Sequence, residues 1–130
     1  MEETNEFVVQ EAQNEITTKF NWGGFMLGIY FGPANRVWIG LLGLLAFIPI
    51  VGWIFGIIWA FIIGFKGEKW SLEKNEYRDN EEFRKIMDGW NRAGIVAFIF
   101  MIAFAVLMVI YILVIAANVV NLINNNPYSY

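Results

Sequence analysis

Residues 37–65 read VWIGLLGLLAFIPIVGWIFGIIWAFIIGF, 29 residues without a single charge. About 20 apolar residues suffice to cross a hydrocarbon core of ~30 Å, so this stretch exceeds one span. As one straight helix it would run ~44 Å, and Pro49 with Gly52 interrupts it near the middle as a hinge. Two layouts follow: one kinked, tilted crossing, or a hairpin folded at Pro49–Val51 with arms Val37–Ile48 and Gly52–Phe65. The hairpin arms are only about 18–21 Å long, so they would form a re-entrant or thinly spanning pair shielded by other helices.

A second uncharged run, Ala93 to Val120, has Asn118 as its only strongly polar residue. The N-terminus is acidic (MEETNE) and the first run begins at residue 37, which is not the pattern of a cleaved signal peptide. Both runs are expected to stay in the membrane. Composition agrees: of 130 residues 58% are apolar, 18% aromatic and 16% charged, against roughly 25% charge in soluble domains. The expected fold class is an all-α integral membrane protein.

Charge sets the orientation. Residues 66–92 hold seven of the nine Lys and Arg, so the positive-inside rule places this segment in the cytoplasm and the tail NLINNNPYSY (121–130) outside it. The hairpin, which is preferred, puts Lys19 and Arg36 on the cytoplasmic side as well; a single crossing puts them outside. The expected location is the inner (cytoplasmic) membrane, with several passes.

Around these runs the sequence divides coarsely. Residues 1–18 carry five acids and no base, with Phe7, Val8, Ala12 and Ile16 forming a weak helical stripe, and read as an acidic tail or short docked helix. Residues 19–35 form a short interfacial or re-entrant helix that Pro33 ends, with Lys19 and Asn21 near the headgroups. Within the cytoplasmic segment, Asp79 and Glu82 read as a capping box that starts a helix over 80–91. That helix carries Phe83, Ile86, Met87 and Trp90 on one face, opposite Glu82, Arg84, Lys85 and Asp88, as an amphipathic helix lying on the membrane surface would. Trp22, Trp70, Tyr77, Trp90 and Arg92 are expected as interface anchors.

Small residues recur at helical spacing. Gly24, Gly28 and Gly32 form one stripe, and Gly52, Gly56, Ala60 and Gly64 another. Such faces let backbones approach closely where the hydrophobic effect no longer drives helices together, so both are expected to pack helices, within the chain or between subunits.

Little points to chemistry. With no cysteine and no histidine, the chain has no disulfides, thiolate nucleophiles or common zinc ligands. Neither apolar run holds Asp, Glu, Lys or Arg, so no intramembrane relay or charged substrate site is indicated. The acids Glu73, Glu76, Glu81, Glu82 and Asp88 alternate with Lys74, Arg78, Arg84 and Lys85, which fits an ion-paired solvated helix better than a metal or acid–base site. Lys69 and Arg92 suit contact with anionic headgroups. No cofactor is implied, and the interleaved charges give no nucleic-acid patch.

The motifs KFNWGGFMLGIYFGPANRVWIGLL, IPIVGW and GFKGEKWSLEKNEYRDNEEFRKIMDGWNRAGI, ahead of a final apolar span, resemble those of uncharacterised small bacterial inner-membrane proteins of a domain-of-unknown-function family. That family begins FNWGAF, then carries a Pro-x-x-Gly-Trp turn, a Lys-Gly-x-x-Trp segment and a Trp-x-x-Ala-Gly lead into the last helix. The resemblance covers about residues 18–100, through Phe20, Asn21, Trp22, Gly23 and Phe25, then Pro49, Gly52 and Trp53, then Gly67 and Trp70, then Trp90, Ala93 and Gly94. Gly24 stands where the family more often has Ala, and Tyr30 where Trp is common. The resemblance implies a helical bacterial inner-membrane protein and transfers no catalytic residues.

The expected function is that of a non-enzymatic scaffold or accessory subunit, whose partners are the bilayer and either other membrane subunits or further copies of itself. The alternative is a homo-oligomeric pore, for which Asn118, Asn121, Tyr111 and Asn21 are the polar residues available to line a lumen. An intramembrane enzyme ranks last, because no nucleophile or paired acid lies in the apolar runs.

Overall fold

A computed structural model of the chain describes Glu6, Val8 and residues 16–125. Most of the acidic tail and the last five residues therefore lie outside the described residues, and with them the expectations made there. Every described element is helical: α1 (Trp22–Ala34), a 3-10 segment (Trp38–Phe47), α2 (Val51–Lys74) and α3 (Asn80–Asn124). Both α2 and α3 are long and apolar enough to cross a membrane. The chain divides into two compact units, Met1–Ala97 and Phe98–Tyr130.

In the first unit the hydrophobic core is small. Ile16, Phe31, Ile63, Tyr77, Phe83 and Met87 are buried together, with Trp59, Trp70, Leu72 and Trp90 packed around them. Edge-to-face pairs tie it across elements, Phe31 with Trp90 at 5.5 Å and Tyr77 with Phe83 at 4.9 Å between ring centroids. A second aromatic group joins Phe20, Trp22, Phe25, Phe61 and Phe65.

Asn21 starts α1 in an extended conformation, its Oδ1 accepting from the Gly23 and Gly24 N–H groups, a side-chain N-cap. The helix runs through Pro33 to Ala34 rather than ending at the proline. Asn35 closes it, and Arg36 then takes a left-handed φ of 57°.

The arm after Arg36 is a 3-10 helix of ten residues, where such helices normally run three or four. Its sequence explains the departure. Gly40, Gly43 and Ala46 recur every three residues, and with 3.0 residues per turn they stack on one face. That face meets the four-residue stripes of its neighbours. A methyl group at Gly40 would lie 2.8 Å from the Gly32 Cα and 2.9 Å from the Gly28 carbonyl oxygen, while one at Gly43 would press on Ile29 and Trp59, and one at Gly56 on Ala46 Cβ.

The chain reverses at Ile48–Ile50. Ile50 adopts φ 70° and ψ −61°, and the Val51 N–H donates to the Pro49 carbonyl at 2.9 Å, a strained γ-turn. Gly52 then passes directly over the carbonyls of Leu45 and Ala46. Along α2 the small residues Gly52 and Gly64 turn inward with Ile63, while Val51, Trp53, Ile54, Ile57, Ile58, Phe61 and Phe65 face outward.

Helix α3 begins at Asp79, whose Oδ1 accepts from the Glu82 N–H at 2.8 Å; the Glu82 carboxylate reaches back to the Arg78 N–H at 2.8 Å, one residue before the box position. Two expectations change here. Residues 80–91 are not a separate surface helix but the first turns of a continuous 45-residue helix. Phe83 and Met87, meant for the membrane surface, are completely buried in the protein core, while Ile86 is exposed.

In the second unit every residue from 99 to 125 is exposed. The Asn118 Nδ2 donates to the Val114 carbonyl at 2.9 Å, a bond within its own helix.

Replacing Gly40 by Val is expected to lower the unfolding temperature in detergent sharply, because backbone at Gly32 and Gly28 blocks the new side chain. Gly89 has nothing within 4 Å of an added methyl, so Gly89→Ala is expected to stabilise by up to about 1 kcal/mol. Equal responses of the two variants in thermal unfolding would contradict the packing described.

Candidate functional site

The period-four stripe on α2 does not stop at Gly64. Its next member is Glu68, which is 0% exposed and sits among Gly64, Gly67 and Ser71 on the buried face. A buried carboxylate is costly unless it is paired and hydrogen-bonded. The fold supplies both.

Glu68 Oε1 accepts from Asn21 Nδ2 at 2.8 Å and Arg84 Nη2 at 3.0 Å; Oε2 accepts from the Lys19 backbone N–H at 2.9 Å and Arg84 Nη1 at 2.7 Å. The Arg84 pairing is bidentate, the strongest carboxylate geometry available. Arg84 also donates to Asp88 Oδ1 at 2.8 Å, and Lys19 Nζ lies 3.0 Å from the same oxygen. Two anions and two cations thus balance.

Asn21 is the pivot. One amide proton goes to Glu68, the other to the Met87 carbonyl at 2.9 Å; its Oδ1 caps α1, and its backbone N–H donates to the Gly64 carbonyl at 2.8 Å. Next to it, Asn91 Oδ1 accepts from the Trp22 N–H at 3.0 Å. Backbones touch here: a methyl group at Gly94 would collide with Trp22 and Gly23, and one at Gly23 with the Trp90 carbonyl. The first and fourth sequence motifs therefore meet face to face.

A smaller polar group closes the far side of the core. Ser71 Oγ and the Tyr77 hydroxyl are 2.6 Å apart, and Asn75 Nδ2 donates to the carbonyls of Ser71 (2.9 Å) and Asn35 (2.8 Å).

These placements correct several expectations. Asn21 is buried and fully bonded, so it is neither at the headgroups nor able to line a lumen. Tyr77, expected as an interface anchor, is 8% exposed and inside the core. Arg84 ties α3 to the buried Glu68 on α2, with the partly exposed Asp88 pairing to Arg84 and Lys19, rather than lying on a solvated stripe. Of the other anchors, Trp22, Trp70 and Trp90 are half-buried and Arg92 is exposed. The glycines Gly24, Gly28, Gly32, Gly52, Gly56 and Gly64 all contact neighbouring elements of the same chain, and Ala60 lies with them. Tyr111, Asn118 and Asn121 are exposed on α3. Glu68 itself carried one legible signal, its register with Gly52, Gly56, Ala60 and Gly64.

The Glu68 carboxylate raises the Arg84 guanidinium further above its already high value, against the opposing effect of burial. The Arg84 guanidinium, and then Lys19, hold the Asp88 carboxyl below the usual carboxylate range. Burial pushes the Tyr77 phenol up, partly offset by the Ser71 hydrogen bond.

Because Asp88 is held low in the fold, its contribution is complete above the unfolded carboxylate value near 3.9 and fades as pH falls through the lower folded value. Asp88→Asn is therefore expected to flatten that part of the acid limb of the stability profile, and only modestly, since the side chain is partly exposed. For Tyr77 the sign reverses: the raised value favours the neutral phenol, so stability falls as pH rises past about 10.

Removing the partner of a buried charge is more severe. Arg84→Met leaves Glu68 uncompensated and is expected to cost about 3–5 kcal/mol. Asn21→Asp, nearly isosteric, sets a second carboxylate against Glu68 and is expected to lower the unfolding temperature at neutral pH at least as far as Asn21→Ala does. Thermal unfolding in detergent checks both, and a neutral Asn21→Asp variant would contradict the network.

Chemically, the buried centre of the cluster is satisfied from within: each Glu68 oxygen accepts two hydrogen bonds, and Asn21 has no hydrogen-bonding capacity left over for a ligand. In comparison with known proteins, no family model, no curated protein and no solved structure matches this chain.

Proposed function

We propose that the chain is a non-enzymatic small integral membrane protein that works as a scaffold or accessory subunit. The observation that carries this reading is the outer surface of α3. From residue 99 to 125 nothing is buried, although the sequence is almost wholly apolar, so this helix needs lipid or another protein around it. Within the first unit the glycine faces are occupied by the chain's own elements, which leaves α3 rather than the glycine stripes as the surface for a partner.

The layout of residues 37–65 supports a re-entrant hairpin. Arg36, Val37, Trp38 and Ile39 at its start and Trp70, Glu73 and Lys74 a few residues past its end line one cavity, which favours a run that leaves and returns on one side. By the positive-inside rule that side is cytoplasmic, and the apolar part of α3 carries the C-terminus across. The polar cluster then sits at the cytoplasmic boundary, where its role is to hold the hairpin, α1 and α3 in one arrangement.

The chain has no cysteine, so single substitutions report cleanly. With a membrane-impermeant thiol reagent, Ala34→Cys and Glu76→Cys are expected to react from the cytoplasmic face and Asn124→Cys from the opposite face. Labelling of Ala34→Cys from outside would overturn the hairpin. Purification in mild detergent is expected to recover another membrane protein in fixed ratio. A bare monomer counts against the scaffold, and a ring that makes liposomes leaky would replace it with the pore.

A further inference from the structure

The cavity between the start of the hairpin and the C-terminal turns of α2 is not accounted for by packing. It measures about 660 Å³ and is lined by Arg36, Trp38, Ile39, Trp70, Glu73 and Lys74, with Val37. Its frame is rigid. Asn75 Nδ2 donates to the Asn35 carbonyl, Asn35 Nδ2 to the Phe31 carbonyl at 2.9 Å, and the Val37 N–H to the Gly32 carbonyl at 2.8 Å. This bolts the loop carrying Arg36 to the C-terminal turn of α2 carrying Lys74.

Neither Arg36 nor Lys74 forms an ion pair with a described residue, whereas Arg84 and Lys19 do. The cavity thus holds two uncommitted cations and one carboxylate. A single negative charge completes it. Its walls are mixed: Trp38 is 66% exposed, and from Trp38 and Ile39 the exposed apolar surface continues along the 3-10 segment through Leu42 and Leu45. One end is fitted to an anion and the other to hydrocarbon.

We propose that this cavity binds one anionic phospholipid, its phosphodiester between Arg36 and Lys74, its acyl chains along Trp38, Ile39 and the 3-10 face. Glu73 accepts a hydrogen bond from a headgroup hydroxyl, which favours a glycerol headgroup over choline. The site rests on the membrane reading above, since only an inserted hairpin brings the cavity to headgroup depth.

The test uses the full chain, purified in mild detergent and titrated with equimolar phosphatidylglycerol and phosphatidylcholine under native mass spectrometry. One phosphatidylglycerol is expected to remain bound, with a preference on the order of tenfold, the scale two basic residues supply near anionic lipid. Arg36→Gln with Lys74→Gln is expected to abolish the preference. Arg78→Gln with Lys85→Gln, which removes the same charge from exposed residues outside the cavity, is expected to leave it intact. Equal loss in both double variants or equal binding of the two lipids overturns the site, as does equal competition by soluble glycerophosphoglycerol. Carbonate extraction of membranes separates the two readings: a wild-type chain that washes off overturns insertion, whereas one that stays but shows no lipid preference overturns only the site.

Discussion

A fully buried carboxylate at Glu68 constrains everything around it. An ionised side chain at zero exposure needs a countercharge and a full set of donors. Arg84 brings the charge, and the donors come from Lys19, Asn21 and Arg84. To satisfy one side chain, the segment before α1, the polar end of α2 and the first turns of α3 must converge. The short hydrophobic core, which runs from Ile16 to Met87, is assembled around that convergence rather than independently of it.

Where α1, the 3-10 segment and α2 face one another, the first unit depends on shape. Here α1, the 3-10 segment and α2 approach closely because their facing residues are glycine or alanine. Period four on the α-helices and period three on the 3-10 segment are each matched to the turn of their own helix. Close approach of this kind gains van der Waals contact where the hydrophobic effect contributes little. It also explains why a ten-residue 3-10 helix persists: winding it as an α-helix would rotate Gly40, Gly43 and Ala46 off a common face.

Much of this architecture was legible in the sequence, and the misses have physical causes. The two apolar runs, the hinge at Pro49 and Gly52, the small-residue faces and the start of α3 at Asp79 are local patterns. Reading only period four concealed the 3-10 segment, although Gly40, Gly43 and Ala46 display their own spacing. Tyr77 resembles an interface aromatic by type and position, yet the core took it, because burial is decided by elements distant in sequence. Glu68 stands in register with the stripe, but its partners lie 47, 49 and 16 residues away, and no local pattern announces them. Asn21 was hidden for the same reason.

Those separations bear on how the chain is made. Asn21 must wait for Met87, and Trp22 for Asn91, 66 and 69 residues later. Domains commonly fold in the order in which they emerge, and local contacts form before distant ones. Here α1 is translated with its decisive partners still unsynthesised, so it cannot dock in final form until the start of α3 has left the ribosome. A helix made early is thereby anchored late.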